Sequence, residues 1–411
     1  MTPLLRAEQA VLGSVLLDPA QLSNLDWLAP DHFYRPIHQA LFAALRKLHS
    51  DGHPAVGAEK PVPMSPACGA WPDDAAFGDN PPALRQWVTD AVDEAGRHVR
   101  GLTAAYAHTL ISACPRPEHA PVYGRMVLEG AIHRTVAQHA IRLHQVARAD
   151  TLQGEVEGSL RSADILTGVL TDLARRWGTD PRPVAPPAAL TAALTVPPVR
   201  ADLVAEDERF LLAVLAEQRR ALDEVVAWLR PGDFADPAHG QVYKCLGALR
   251  HRGEPVDRIT LLWEAQRRGL LADGTLSGEQ LTAICDGMVP GSAGWFAERV
   301  MRSSLTRTAA ASACAVRALA EDEALDPGRL INHALHVLGP LDEVHARWQA
   351  ANGSPAPKPP TALAPGGPPP GRVQAARARS IPHPAPAPPA RTSPGPGPAP
   401  IRARSPARGH S

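Results

Sequence analysis

The sequence is short of cysteine, lysine and aromatic residues, and the first of these shortages limits the chemistry of the chain most directly. The 411 residues include five cysteines, which are Cys68, Cys114, Cys245, Cys285 and Cys314. The number is odd and no two have C-x-x-C spacing, which argues against a disulfide framework or a zinc site. We therefore expect no metal site and a reducing compartment, the cytoplasm.

Long apolar runs are also missing. The N-terminal stretch MTPLLRAEQ has no basic region followed by an apolar core, so it does not predict a secretory signal peptide. No apolar run approaches the roughly 18 residues that a membrane-spanning helix needs. These features exclude a membrane partner from the prediction and agree with the cytoplasmic location.

Acidic residues are absent after Glu343, although the chain as a whole balances 42 bases with 42 acids. Residues 351–411 consist largely of proline, alanine, glycine, serine and arginine, a composition that predicts a disordered tail. The candidate contacts to nucleic acid or a partner are Arg372, Arg377, Arg379, Arg391, Arg402, Arg404 and Arg408. Without interleaved aromatics the tail has no stacking platform for bases. Weak phosphate binding, docking on the acidic body or a partner, and a spacer role all remain open.

An internal repeat organises the rest of the chain. Residues 27–48 read WLAPDHFYRPIHQALFAALRKL, and residues 228–249 read WLRPGDFADPAHGQVYKCLGAL. One tryptophan, two prolines, a phenylalanine and a histidine keep the same spacing without a gap. This pattern indicates a duplicated module.

Helical periodicity and capping residues follow both copies, and no alternating strand pattern is present. The sequence predicts an all-α protein of two tandem helical domains, each a small helical head followed by a long helical hairpin. We assign 1–177 to copy 1, 178–202 to a flexible Pro/Ala linker, 203–350 to copy 2 and 351–411 to the tail. The linker is long enough for the two hairpins to pair within one chain, which predicts an intramolecular pseudo-dimer or a homo-oligomer.

The copies differ after the conserved stretch. Copy 2 continues with PVDRITLLWEAQRRGLL, in which Asp257 or Thr260 caps a short helix. Copy 1 has a loop rich in proline and glycine over residues 54–83 instead. Copy 1 has therefore lost or replaced this helix.

Four groups of residues have both a functional and a structural interpretation. Repeated aromatics at Trp27/Trp228 and Phe33/Phe234 could line a partner groove, but their spacing favours the core. The repeated histidines His38 and His239 are expected to be structural. The cluster His49–His53 contains metal-binding side chains, but copy 2 has no matching set. Tyr106, His108, Cys114 and His119 fall on different faces and predict no catalytic site.

Both copies resemble the N-terminal domain of replicative DNA helicases of the DnaB family. In copy 1 the resemblance lies in Glu8–Gly13, Leu17-Asp18, Pro30–Tyr34, His38 and Phe42; in copy 2 it lies in Gly253–Asp257, Thr260-Leu261 and Arg267–Leu271. The hairpin pattern follows as Tyr123, Met126-Val127 and His133-Arg134, and again as Trp295-Phe296 and Arg299-Val300.

The resemblance implies that each copy is a helical head followed by a hairpin. In that family these units oligomerise as a collar, in which the hairpins of neighbouring subunits pack together. The resemblance also implies binding to a helicase, primase or loader protein. In that family a separate RecA-like ATPase domain follows. Here no G-x-x-x-x-G-K-[ST] motif exists, and none of the four lysines follows a glycine. Since phosphate binding needs that loop, we expect a non-enzymatic interaction module without a cofactor. The alternatives are a DNA-binding or nucleoid-type protein that uses the tail, and a helicase component whose ATPase is supplied by another chain.

Overall fold

The computed structural model describes residues 2–57, 82–187, 201–285 and 291–351. Within these ranges the chain forms helices and turns, without a β-strand. The α-helices are α1 (Pro3–Leu17), α2 (Pro36–Ser50), α3 (Pro82–Gly96), α4 (Ala104–Ser112), α5 (Ala120–Gln153), α6 (Glu157–Trp177), α7 (Ala201–Glu217), α8 (Arg219–Val226), α9 (Pro237–His251), α10 (Arg258–Arg267), α11 (Gly278–Cys285), α12 (Ala293–Glu321) and α13 (Pro327–Ala351). The all-α prediction is confirmed.

Helices α1–α4 form head 1, and its boundaries follow local capping chemistry. Thr2 accepts a hydrogen bond from the backbone N–H of Leu5, and Pro3 occupies the first turn of α1. After Asp18 the chain forms a 3-10 helix, Pro19–Leu25. Helix α2 begins at the predicted Pro36 and ends before Gly52, whose φ of 74° suits glycine.

Head 2 comprises α7–α11 and repeats this arrangement. Helix α9 begins at Pro237, as α2 begins at Pro36, and Asp236 caps it through a hydrogen bond from Ala238. Asp257 caps α10 by accepting hydrogen bonds from the N–H groups of Ile259 and Thr260. The helix predicted from this capping residue is therefore present.

Copy 1 has replaced the α10 helix rather than lost it. Helix α3 packs on α2 as α10 packs on α9. Its buried Ala91, Glu94 and Ala95 have the same spacing as three buried residues of α10, Leu261, Glu264 and Ala265. The C-terminal half of α3 therefore corresponds to α10. Most of the 54–83 loop, residues 58–81, lies outside the described residues.

Each head continues into a long hairpin, α5–α6 in hairpin 1 and α12–α13 in hairpin 2. Helix α5 ends at Gly154, whose φ of 76° allows its N–H to reach the carbonyl of Asp150. Helix α6 begins at Glu157, directly after this turn. Hairpin 2 has a longer tip, residues 322–326, before Pro327 begins α13.

The two hairpins pack together in antiparallel fashion along α5 and α12. Near the base of α5, the ring nitrogens of His133 lie 3.0 Å from the carbonyl oxygens of Ala320 and Leu325 at the tip of hairpin 2. Near the base of α12, Arg302 donates to the carbonyl of Gly154 at the tip of hairpin 1, 2.8 Å away. Each tip therefore reaches the base of the other hairpin, which is the arrangement of a two-fold related pair.

The middle of this interface is apolar and rich in alanine. The buried residues of this part of the two helices are Val136, Ala140, Leu143 and Ala147 on α5, and Ala309, Ala313, Val316 and Ala320 on α12. Cys314 lies 3.4 Å from Nδ1 of His144 across the helices. Small side chains allow two helices to approach closely, and burial of this surface stabilises the pairing at about 25 cal/mol per Å².

The first part of the interdomain segment is not a free linker. The N–H of Val184 donates to the carbonyl of Asn332 on α13 at 3.0 Å, and the carbonyl of Val184 lies 2.8 Å from His333. Residues 188–200 and the tail from residue 352 lie outside the described residues. Among the helices that are described, none is long and apolar enough to cross a bilayer.

Candidate interaction surfaces

A buried glutamate–histidine pair recurs in both heads. His38 Nδ1 lies 2.7 Å from Glu8 Oε2, and His239 Nδ1 lies 2.9 Å from Glu208 Oε2. Both carboxylates are fully buried and also accept backbone N–H groups from the turn that precedes α2 or α9, those of Tyr34 and Ala235. The pair fixes this turn on the first helix of each head. The predicted structural role of the histidines agrees with these contacts.

The pairing of these histidines with Glu8 and Glu208 was not predicted from the sequence. The repeat was recognised without a gap over residues 27–48, whereas Glu8 and Glu208 are 200 positions apart instead of 201. A one-residue length difference between the copies therefore hides their equivalence. A search for a repeated acid on the first helix could have found them.

A second contact that both copies share joins each head to its own hairpin. Arg134 on α5 donates to the carbonyl of His32 at 2.6 Å, and Arg307 on α12 donates to the carbonyl of Asp233 at 2.8 Å. These contacts establish the register of the hairpins, in which each α5 position corresponds to the α12 position 173 residues later.

The side chains at this junction differ between the copies. Asp233 is buried, accepts a hydrogen bond from Ser304 at 2.9 Å and forms a two-pronged ion pair with Arg347 of α13. The equivalent His32 accepts a hydrogen bond from the N–H of Ala29. Burial lowers the pKa of His32, and the charges of Arg176 and Arg134 lower it further, while Asp31 opposes them.

The aromatic residues of the repeat separate into core and surface. Phe33 packs against Phe42, and Phe234 packs against Tyr243, so the core prediction is confirmed for both phenylalanines. It is wrong for Trp27, which is 45% exposed, with its ring next to Gly124 of α5.

A larger exposed apolar patch lies on α10. Ile259 and Trp263 are one turn apart, and 75% and 61% of their respective surfaces are exposed. The corresponding positions of α3 are Thr89 and Asp93. The two heads therefore present different chemistry at the same place, apolar in head 2 and polar in head 1.

At the start of α1 the difference between the heads is reversed, because here head 1 has apolar residues where head 2 has charged ones. A groove of 890 Å³, which we call the head-1 groove, is lined by Pro3, Arg6, Ala7, Gln9, Ala10, His108, Thr109, Ser112, Ala113, Pro115, Tyr123 and Met126. In head 2 the positions of Ala7 and Met126 are taken by Asp207 and Arg299, which form an ion pair at 2.7 Å.

A third opening lies where the tip of hairpin 1 meets the base of hairpin 2. This tip cleft has a volume of 360 Å³ and is lined by Asp150, Thr151, Leu152, Gln153, Gly154, Glu155, Leu203, Val204, Asp207, Trp295, Glu298, Arg299, Arg302, Ser303 and Thr306. Among the lining side chains, Leu152, Leu203 and Trp295 are each about half exposed. The cleft thus combines an apolar surface with charged walls.

The residues considered for metal or cysteine chemistry have structural partners. His53 lies 3.2 Å from Asp90, Tyr106 contacts His38 at 2.8 Å, and Cys114 contacts Ser14 at 3.2 Å. No cluster of metal-binding side chains occurs in the described ranges. Burial raises the pKa of Cys245 to about 11, which keeps this thiol protonated and unreactive at neutral pH.

The seven tail arginines, Arg372, Arg377, Arg379, Arg391, Arg402, Arg404 and Arg408, lie outside the described residues. Their role in binding stays a prediction. The surfaces that can be examined are therefore those of the heads and hairpins.

Comparison with known proteins identifies both heads. The sequence model described as the DnaB-like helicase N terminal domain matches residues 2–55 and 202–291. These two ranges include α1 and α2 of head 1 and nearly all of head 2. The two matches follow the same repeat that the buried glutamate–histidine pairs mark in the structure.

Three similar proteins are replicative DNA helicases named DnaB. The protein of Mycobacterium leprae (strain TN) is 36% identical over 108 residues, which are 26% of this chain and 17% of the relative. That of Treponema pallidum (strain Nichols) is 31% identical over 153 residues, 37% of this chain and 28% of the relative. That of Geobacillus stearothermophilus is 47% identical over 51 residues, 12% of this chain and 11% of the relative.

The chain thus spans less than a third of the length of each of these helicases. No solved structure gave a significant match. The family matches and the paired architecture lead to one conclusion: the chain carries two tandem domains similar to the N-terminal domain of DnaB-like helicases.

Proposed function

We propose that this protein is a replication-associated interaction module that binds a helicase, primase or loader protein through its paired collar-like domains. The observation that carries the proposal is the antiparallel pairing of hairpins 1 and 2 within one chain. Two family-matched heads thereby form an internal pseudo-dimer, which a helicase of this family would build from two subunits.

The contacts across the hairpins support a permanent pairing rather than a transient one. Most buried positions of α5 and α12 are apolar, and hydrogen bonds lie at both ends of the interface. Linkage within one chain also raises the effective concentration of each half to about the millimolar range. The paired hairpins then present a composite surface to a partner, with each head packed on its own hairpin.

Light scattering after size-exclusion chromatography tests this proposal. The full chain should elute alone as a single-chain particle and shift to a larger mass with a DnaB-type helicase or with primase. The variant that tests the role of the pairing is Ala313→Asp, which places a charge in the buried interface on α12. It should abolish the shift in mass. A full chain whose mass is unchanged by helicase, primase and loader would overturn the proposal.

DNA binding through the tail is a second candidate, and the eight basic residues that follow Ala351 favour it. Fluorescence anisotropy with labelled DNA at two salt concentrations, comparing the full chain with a 1–351 truncation, tests it. Tail binding through phosphates should weaken steeply with salt and disappear on truncation. The third candidate, a helicase component, requires ATP hydrolysis by a complex with another chain, which a coupled ATPase assay would detect.

A further inference from the structure

The tip cleft is one of two equivalent positions in the paired hairpins, and the other position is filled. At the filled position the tip of hairpin 2 lies against the base of α5, where His133 contacts the carbonyls of Ala320 and Leu325. The Leu325 side chain is half-buried and packs against the core. Hairpin 2 thus covers this position with its own leucine.

The cleft is open because hairpin 1 has a shorter tip. Residues 154–156 connect α5 to α6, whereas residues 322–326 connect α12 to α13. The longer loop carries Leu325, and the shorter loop has no residue at an equivalent place. Leu152, the nearest large apolar residue of the short tip, remains 53% exposed.

Residue exchanges also change the opposite wall. The register of the repeats places Thr306 at the position of His133, Val204 at that of Leu4 and Ser303 at that of Gly130. In head 1, Leu4 lies directly against Gly130, where an added Cβ would come within 2.6 Å of its side chain. Val204 is shorter than leucine and Ser303 is larger than glycine, so the wall of the cleft differs in shape from that of the filled position.

The walls of the cleft add a charge preference. The lining includes the carboxylates of Asp150, Glu155, Asp207 and Glu298 but only two guanidinium groups, those of Arg299 and Arg302. Both guanidinium groups are already paired, Arg299 with Asp207 at 2.7 Å and Arg302 with Glu298 at 2.6 Å. Asp150 is buried and accepts two hydrogen bonds from Ser159 at 2.7 Å. The exposed carboxylate of Glu155 is therefore the group in the cleft that favours a basic group on a ligand.

We propose that the tip cleft binds a short peptide segment of a partner protein that carries a leucine-sized aliphatic side chain next to a lysine or arginine. The aliphatic group takes the place that Leu325 takes at the equivalent position, and the basic group lies near Glu155. Because the cleft is built from the paired hairpins, it exists whether or not the replication partner proposed above is correct.

Fluorescence anisotropy on the full chain tests the proposal with a fluorescein-labelled octapeptide whose two central leucines are flanked by arginines. We expect saturable binding, with at least a fivefold loss when both leucines of the peptide become serine. A similar loss is expected when both arginines become glutamate. These comparisons vary only the peptide and do not depend on the folding of a variant.

The protein side uses the double variant Leu152→Ser/Leu203→Ser, which changes two half-exposed residues on opposite walls of the cleft. It should bind the peptide at least fivefold more weakly. Ile165→Ser on α6, 51% exposed and outside the cleft, is the matched control and should bind like the wild type.

Absence of saturable binding up to about 1 mM peptide, the limit of a weak specific interaction, would overturn the proposal. Equal binding by the double variant would do the same. The experiment uses no replication protein, so its outcome is separate from the light-scattering test. Peptide binding without a response to helicase or primase would support the cleft and remove the proposed function.

Discussion

Position 32 in head 1 is a histidine, and the equivalent position 233 in head 2 is an aspartate. The backbone around them is held in the same way, since Arg134 and Arg307 donate to their carbonyls. The side chains behave differently: Asp233 forms an ion pair with Arg347, whereas His32 is buried beside two arginine charges that lower its pKa. The duplicated scaffold has thus kept its backbone contacts while its junction chemistry has diverged.

The tryptophans of α3 and α10 also differ in their surroundings between the two heads. Trp87 is fully buried and donates to the carbonyl of Val15 on α1 at 3.1 Å. Trp263 on α10 is 61% exposed. Head 1 uses its tryptophan to hold the replacement helix, and head 2 leaves its tryptophan available for binding.

The largest expected effect is therefore that of Trp87→Ala. Removing this side chain deletes a fully buried ring and leaves the Val15 carbonyl without this donor, so the free energy of unfolding should fall by about 4 kcal/mol. Trp263→Ala, the matched control in the other head, should change it by less than about 0.5 kcal/mol. Urea denaturation followed by circular dichroism measures both. Equal losses from the two variants would contradict the assignment of core and surface roles.

The second effect concerns the junction of head 2 with hairpin 2. Asp233→Ala leaves the largely buried guanidinium of Arg347 without its carboxylate, and Ser304 without its acceptor. We expect a loss of about 3 kcal/mol in the free energy of unfolding, at the lower end for a broken buried ion pair because Arg347 keeps some exposure.

Asp172→Ala is the control for this junction. It removes an ion pair with Arg175 in which both side chains are more than half exposed, so its cost should stay below about 0.5 kcal/mol. Both variants can be compared by urea denaturation under the same conditions. A loss below 1 kcal/mol for Asp233→Ala would show that the ion pair is not needed to hold the head on its hairpin.

Much of this scaffold could be predicted because its signals are local. Pro36 and Pro237, two matched prolines of the repeat, each begin a helix, and Asp257 caps α10 as expected. The apolar stripes of α5 and α12 likewise predict long helices. Local signals of this kind determine where a helix begins and which face it buries.

The contacts that distinguish the heads could not be predicted in the same way because they depend on distant residues. Glu8 reaches a turn 26 residues away, and Asp233 meets Arg347 across 114 residues. Trp27 lies against Gly124 of α5, a contact between residues that are distant in the sequence. The tip cleft arises from a difference in loop length between two hairpins, which becomes visible only after they are paired.

The smallest expected effect is the pH dependence contributed by His32. Burial lowers the pKa of His32 in the folded protein below its ordinary value of 6.5, so between the folded and unfolded pKa values the unfolded chain binds a proton that the folded chain does not. Stability from this residue is present above about pH 6.5 and is lost as the pH falls through that window. One site can contribute at most about 1.4 kcal/mol per pH unit. His32→Gln should therefore reduce the slope of the free energy of unfolding against pH between pH 7 and about pH 5. Urea denaturation at each pH measures this slope. The control is His336→Gln on α13, which changes an exposed histidine. An unchanged slope in His32→Gln would mean that the junction of head 1 does not sense pH, and that the exchange of aspartate for histidine altered only its strength.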